Sequence, residues 1–292
     1  MPRTPDFIII GAMKCGTTSL RQNLGTHSEI FVVPEEPRFF HSDRYHKQGL
    51  EQYFSLFEDR NEAVVGESSG FYTWDSWCEE TVGRMARDVP NTKLLYIIRN
   101  PIERIESHWA WEIANGRPWG TINEAVQEVD RLLEMSLYWR QLSRYRTHFD
   151  DEQIKVLFLE DLKADPEAFF RDCGRFLGVD PDGFDFEEAA TPKNQTAEKR
   201  TDTRLVQRLR QWSGFWTLKE LIPDSIVSLG ERTLRRDGKI EPEGDGAVLR
   251  EVEERLAPDT AQVLDYAGRP RHFWKFPNLS LSGATHHQES AG

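Results

Sequence analysis

The sequence predicts an α/β fold: a mostly parallel sheet flanked by helices, followed by a helical C-terminal subregion. Three observations predict it. Four short runs are nearly continuous in apolar residues, namely Phe7–Ile10, Ala63–Val65, Lys93–Ile98 and Ile154–Leu159. Strands buried on both faces of a parallel sheet read this way. Helical patterns separate the runs, which is the alternation of an α/β fold. The first run also leads straight into a glycine-bracketed loop and then a helix.

Taken in order, the first helix runs from Thr17 to Leu24 and a second from Cys78 to Asp88. Asn100-Pro101 opens a third, with Asn as the N-terminal cap and Pro in the first helical position. Asp165-Pro166 repeats that signal before Glu167–Leu177, whose apolar face is Phe169, Phe170, Cys173, Phe176 and Leu177. After Gly178 the chain turns rich in Pro, Asp and Glu. It then carries a helical stripe (Leu205, Leu209, Trp212), a Gly/Glu/Asp-rich loop near 237–246 and a helix over Val248–Leu264. No repeat is visible. Residues 1–279 read as a single domain, and the Ser/Gly/His/Gln stretch 280–292 reads as a disordered tail.

Composition excludes several classes. A chain of 292 residues with 17 Phe and 9 Trp can build one large core. Its net charge of −12 argues against a nucleic-acid or anionic-membrane partner, which needs a broad positive field. A local basic pocket for a small anion is still allowed. Three irregularly spaced cysteines, Cys15, Cys78 and Cys173, make neither a disulfide framework nor a zinc site. The run at Phe7–Ile10 is too short for a signal-peptide core, and no stretch is long enough to span a membrane. The expected location is the cytoplasm.

The strongest motif is Gly11-Ala-Met-Lys14-Cys15-Gly16-Thr17-Thr18-Ser19, set between the first strand and first helix. Such a loop presents backbone N–H groups and the positive end of a helix to an anion. Lys14 adds a cation; Thr17 and Thr18 add donors. The sheet is therefore expected to be P-loop-like. The motif is nevertheless not a Walker A loop, because Thr17 stands where that pattern needs Lys. The third strand ends in Arg99 rather than in a metal-binding Asp, which points to anion binding without Mg²⁺. Ligands of such sheets sit at the carboxyl ends of the strands, so Arg99 is expected to share a crevice with the loop. A guanidinium can grip phosphate with two hydrogen bonds, and Ser107 can add a third.

FIIIGAMKCGTTSL resembles the 5′-phosphosulfate loop of sulfotransferases that use 3′-phosphoadenosine-5′-phosphosulfate (PAPS), in particular the heparan sulfate sulfotransferase branch and its bacterial relatives. IIRNPIERIESHW resembles their 3′-phosphate motif, and the resemblance implies that Arg99 and Ser107 bind that phosphate. It runs in order over roughly residues 6–180. It implies a sulfuryl transfer from PAPS to an acceptor hydroxyl, with Lys14, Cys15, Gly16, Thr17, Thr18 and Ser19 around the phosphosulfate. Family members often have a basic, Gly-containing closing loop near 193–210. Here the Lys-Gly-Arg pattern is absent, and Lys199 and Arg200 are the residues assigned to that task. A solvated helix face is the competing reading of that cluster.

Sulfuryl transfer needs an aligned attack, a place for the hydroxyl proton and a cation for the departing phosphate. Lys14 suits the last role. For the proton, Glu36 matches the Glu-x-x-Phe-Phe pattern that carries the base in the heparan-type branch, and Phe39 and Phe40 are expected to desolvate it. Glu67 closes the second strand and is expected to face the crevice. It resembles the Glu of a Gly-Glu-x-[Ser/Thr] segment, but Ser68 stands where a Lys often follows. Glu36 is preferred as base, Glu67 being structural or acceptor-facing, and His41 is a third candidate. Tyr72, Trp74 and Trp77, and likewise Trp109, Trp111 and Trp119, read as core or as acceptor-cleft wall. Glu160-Asp161-Leu162 reads as structural. No metal-binding pattern is present. The acceptor class stays open between a carbohydrate, a lipid and a natural-product alcohol. Two rivals remain: a P-loop small-molecule kinase or NTPase, revealed by Mg²⁺ dependence, and a non-catalytic nucleotide-binding module, revealed by binding without product.

Overall fold

The computed structural model describes residues 2–117, 121–186, 201–202, 235–236 and 246–276. Five parallel strands form the main sheet in the order β2-β3-β1-β4-β5. They are β1 (Phe7–Gly11), β2 (Ile30–Val32), β3 (Val64–Ser68), β4 (Lys93–Ile98) and β5 (Ile154–Phe158). Every residue of β1 and β3 is buried. The pleat sends alternate side chains to opposite faces, Ile8 and Ile10 into one core and Phe7 and Ile9 into the other.

Each face is covered by helices that supply the matching apolar stripe. Helices α1 (Thr17–Leu24) and α9 (Pro166–Leu177) close the Phe7/Ile9 side with Leu20, Leu24, Phe169, Phe170 and Leu177. On the Ile8/Ile10 side lie α3 (Asp75–Asp88), α4 (Pro101–Ala114) and α7 (Tyr138–Tyr145). The remaining helices are α2 (Ser42–Phe54), α5 (Ile122–Glu128), α6 (Asp130–Glu134), α8 (Leu159–Ala164) and α10 (Gly246–Tyr266). Helix α10 joins the same core through Val252, Leu256, Val263 and Leu264. The expected strand at 63–65 is longer than its apolar run, because buried Glu67 and Ser68 continue it as polar residues.

The chain leaves β1 for β2 and β3 on one side, then crosses to β4 and β5 on the other. The connections therefore diverge between β1 and β4, where the carboxyl ends leave a crevice. Two residues of β6 (Thr201–Asp202) pair antiparallel with two of β7 (Arg235–Arg236). The Leu205/Leu209/Trp212 stripe, most of the loop near 237–246 and the tail 280–292 lie outside the described residues. No described helix is long and apolar enough to cross a membrane.

Candidate active site

The loop after β1 is shaped by two glycines. A Cβ on Gly11 would collide with the Thr73 hydroxyl, and one on Gly16 would lie 2.9 Å from Leu159 Cδ1. Gly16 also has φ 96°, which other residues rarely adopt. Between them Lys14 takes φ 71°, a left-handed conformation uncommon for a residue with a side chain. Ala12 N–H donates to Ile97 O at 2.7 Å, tying the loop to the end of β4. Helix α1 is capped by Gly16 without a side-chain hydrogen bond, an arrangement that can receive an anion at a helix N-terminus. Cys15 is fully buried and its Sγ lies 3.5 Å from Tyr138 Oη. Burial pushes its thiol up to about 11, against the smaller effects of the Tyr138 bond and of the Arg104 and Arg99 charges.

The second part is built on α4. Asn100 Oδ1 accepts from Ile102 N–H at 2.9 Å and Glu103 N–H at 3.4 Å, with Pro101 opening the helix. Arg99, at the end of β4, pairs with Glu103. Its Nε is buried and has no hydrogen-bond partner among the described residues. Glu103, Ser107 and Trp111 follow at intervals of four, so they form one row along the helix. The Lys14 ammonium sits over the Trp111 ring, 5.6 Å from its centroid. Arg99 thus stands at one end of this row and Lys14 at the other, with half-buried Ser107 between them. The row is about 12 Å long at 1.5 Å per residue.

The third part faces the loop from across β3. Glu36 Oε2 accepts from Arg38 Nε at 3.1 Å and from Arg38 Nη2 at 3.0 Å. The guanidinium stacks 4.0 Å over the Phe71 ring. Glu36 keeps 25% of its side chain exposed. A Cβ placed on Gly70 would lie 3.5 Å from Thr17 Oγ1 and 3.9 Å from Glu36 Oε1. The second carboxylate oxygen and the loop's threonine therefore converge on one patch of backbone. An open cleft of about 550 Å³ runs past Glu36 and Arg38 to Thr18 and Arg21. The expected desolvating pair, Phe39 and Phe40, instead turns inward and packs on Tyr53.

A family model described as a sulfotransferase domain matches residues 4–203. The chain belongs to the sulfotransferase family. Among similar proteins, human bifunctional heparan sulfate N-deacetylase/N-sulfotransferase 2 is 29% identical over 203 residues, covering 61% of this chain and 22% of that protein. Bifunctional heparan sulfate N-deacetylase/N-sulfotransferase 1 of Xenopus laevis is 30% identical over 201 residues, with coverage of 61% and 22%. The chain thus spans about a fifth of the length of the curated relatives it matches. A sulfotransferase structure from Alicyclobacillus acidocaldarius superposes with a TM-score of 0.63 at 25% identity, covering 92% of this chain and 97% of that one. The sulfotransferase domain of the Synechococcus PCC 7002 olefin synthase shares the fold, with a TM-score of 0.50, 19% identity and coverage of 70% and 82%.

Within this sulfotransferase, Glu67 does not face the crevice. Strand β3 continues through it, and the pleat turns its side chain, 0% exposed, into the core face. Tyr72 Oη donates to Oε1 at 2.7 Å, Tyr53 Oη to Oε1 at 3.3 Å and Ser69 Oγ to Oε2 at 3.0 Å. Burial raises its pKa to about 7; the three hydrogen bonds pull it down and nearby Glu36 pushes it up. His41 lies beside the rings of Phe71 and Trp74, with centroids 6.3 and 6.2 Å away. Tyr72 and Trp109 are core residues. Trp119, Lys199, Arg200 and the Trp77 side chain lie outside the described residues. Glu160 accepts from Asn100 N–H at 2.8 Å and Trp274 Nε1–H at 3.0 Å, joining the C-terminal segment to the start of α4.

Sequence reasoning missed Arg38 and the buried polar row under α4. Arg104, fully buried, donates to Ser136 Oγ at 2.6 Å, to Leu132 O and, at 3.3 Å, to His108 Nδ1. Accepting that bond requires a neutral imidazole. Burial first, then the Arg104, Arg131 and Lys14 charges, depresses His108 to about 2. The Arg104/His108/Glu112 spacing was the available signal. Among the described residues no three His, Cys, Asp or Glu side chains are grouped to hold a metal ion.

Proposed function

We propose that this sulfotransferase moves a sulfuryl group from PAPS to an acceptor hydroxyl on a carbohydrate, lipid or natural-product alcohol. Its products are a sulfate ester and adenosine 3′,5′-bisphosphate. The loop Lys14 to Ser19 receives the phosphosulfate, with the N-terminus of α1 and the Lys14 ammonium meeting its charge. Arg99 and Ser107 receive the 3′-phosphate; Arg99 exchanges Glu103 for it and employs its unpartnered Nε. The acceptor enters past Glu36. Its oxygen forms the new bond to sulfur, the bond from sulfur to the 5′-phosphate oxygen breaks, and the hydroxyl proton passes to Glu36 Oε1. Lys14 meets the charge left on the departing phosphate.

The observation that carries this reading is the α4 row with Arg99 at one end and Lys14 at the other. Two cationic cradles about 12 Å apart along the helix axis suit a donor with phosphate at each end. Incubation with labelled PAPS against a panel of hydroxyl compounds, with an amine sugar as control, followed by mass spectrometry, tests it. We expect a sulfated hydroxyl product. Lys14→Ala should lower turnover by roughly 100-fold or more. Glu36→Gln should lower it by roughly 100-fold while leaving affinity for adenosine 3′,5′-bisphosphate almost unchanged. Undiminished turnover in Lys14→Ala removes that residue's role. Lost nucleotide affinity in Glu36→Gln would make Glu36 structural.

A further inference from the structure

Glu67 and Ser69 are both 0% exposed, yet they touch the site through one route. Ser69 Oγ donates its proton to Glu67 Oε2 at 3.0 Å. That leaves the oxygen's lone pairs outward, and one accepts Arg38 N–H at 2.9 Å. Arg38 itself has φ 51°, the left-handed region that residues with side chains avoid unless held there. In that conformation its guanidinium sits over the Phe71 ring and gives both of its bonds to Glu36 Oε2. With Oε2 occupied, the oxygen near Gly70 and Thr17 is Oε1. Glu67 Oε1 is taken by Tyr72 and Tyr53, which fix the buried carboxylate from its other side.

We propose that Glu67 and Ser69 are positioning residues, which act through Arg38 to aim Glu36 at the donor loop. The proposal rests on the reading of Glu36 as the proton acceptor. A carboxylate on a free side chain samples many rotamers; one held at a single oxygen by a stacked, hydrogen-bonded arginine presents the other in a fixed direction. The competing reading makes Glu67 only a polar centre for the Tyr53/Tyr72 cluster, with no bearing on Glu36.

Two measurements separate them. The first is a crystal structure of Ser69→Ala with adenosine 3′,5′-bisphosphate. We expect Arg38 to leave Glu36 and the carboxylate to rotate away from Gly70. An unchanged Arg38–Glu36 pair overturns the proposal whatever the activity. The second is release of adenosine 3′,5′-bisphosphate from PAPS by Ser69→Ala, Arg38→Met and the double variant, beside binding of that nucleotide by calorimetry. We expect each single change to slow release about tenfold at unchanged affinity. The double variant should be no slower than either, because both cut one chain. Independent, multiplying losses favour the competing reading. Ser69→Thr, which keeps the hydroxyl, should restore the rate, and it guards against a packing artefact in the alanine variant. If Glu36→Gln stays fully active, the base assignment fails; if Glu36→Gln is slow and Ser69→Ala is not, only the positioning proposal fails.

Discussion

Lys14 and Glu67 show what a single residue's surroundings decide. Lys14 is half-buried in the loop after β1, with its ammonium over the face of Trp111. Glu67 is sealed inside, and its pKa of about 7 lies above the ordinary 4.5. Between those values the folded chain binds more protons than the unfolded one. Stability from this group is therefore full below about 4.5 and is lost as pH rises through 7, by up to about 3 kcal/mol. Thermal midpoints measured across that window should fall with pH in the wild type and fall less in Glu67→Gln. Part of the slope should persist, because burial also raises Asp259, to about 6. Parallel curves for the two proteins would contradict the assignment. The positions of Lys14 in the loop after β1 and of Arg99 just past β4 were legible, since both strands announce themselves. The burial of Glu67 was not, because the apolar run stops at Val65 and only the strand pairing shows that β3 continues. Arg38 was illegible for a similar reason: besides nearby Glu36, its partners are Ser69 and Phe71, brought to it by the fold from across β3.

At the scale of elements, helix ends do much of the placing. Asn100 and Pro101 were readable as a start signal, and α4 begins there. Helix α7 has no cap of its own; Asp259 on α10 accepts from its Trp139 and Arg140 N–H groups at 2.9 and 2.8 Å. Asp259→Ala leaves two amides of a buried helix end without acceptors. It should cost about 1–2 kcal/mol, read as a lowered urea midpoint at unchanged slope. Tyr138 begins α7 and contacts Cys15, so nucleotide affinity should drop in the same variant. No sequence pattern linked residue 259 to residue 139, because a cap given by a distant helix leaves no local trace. Strand β2 also escaped notice. At three residues it is shorter than any window in which periodicity can be counted, and its pairing with β3 defines it.

Over the whole molecule, the division of the sheet between β1 and β4 puts the two proposed anion cradles on neighbouring strand ends. The fold class was legible because strands covered on both faces have no polar side to interrupt them. A ligand spanning both cradles ties β1 to α4, and so should stabilise the fold as one unit. At a concentration a hundredfold above its Kd, adenosine 3′,5′-bisphosphate should add about 2.7 kcal/mol. Scanning calorimetry should show a midpoint several degrees higher, and a smaller rise at the same concentration for Arg99→Gln. An equal rise in that variant would remove Arg99 from the binding site.

The cysteine inside the donor loop carries a practical corollary. Cys15 has no solvent exposure, and its thiol is held in the protonated, unreactive form. Cys78 and Cys173 are buried as well. Alkylating reagents should leave the native protein untouched, so the slow appearance of label at position 15 becomes a clock for how often the loop breathes open, and a bound nucleotide should slow it.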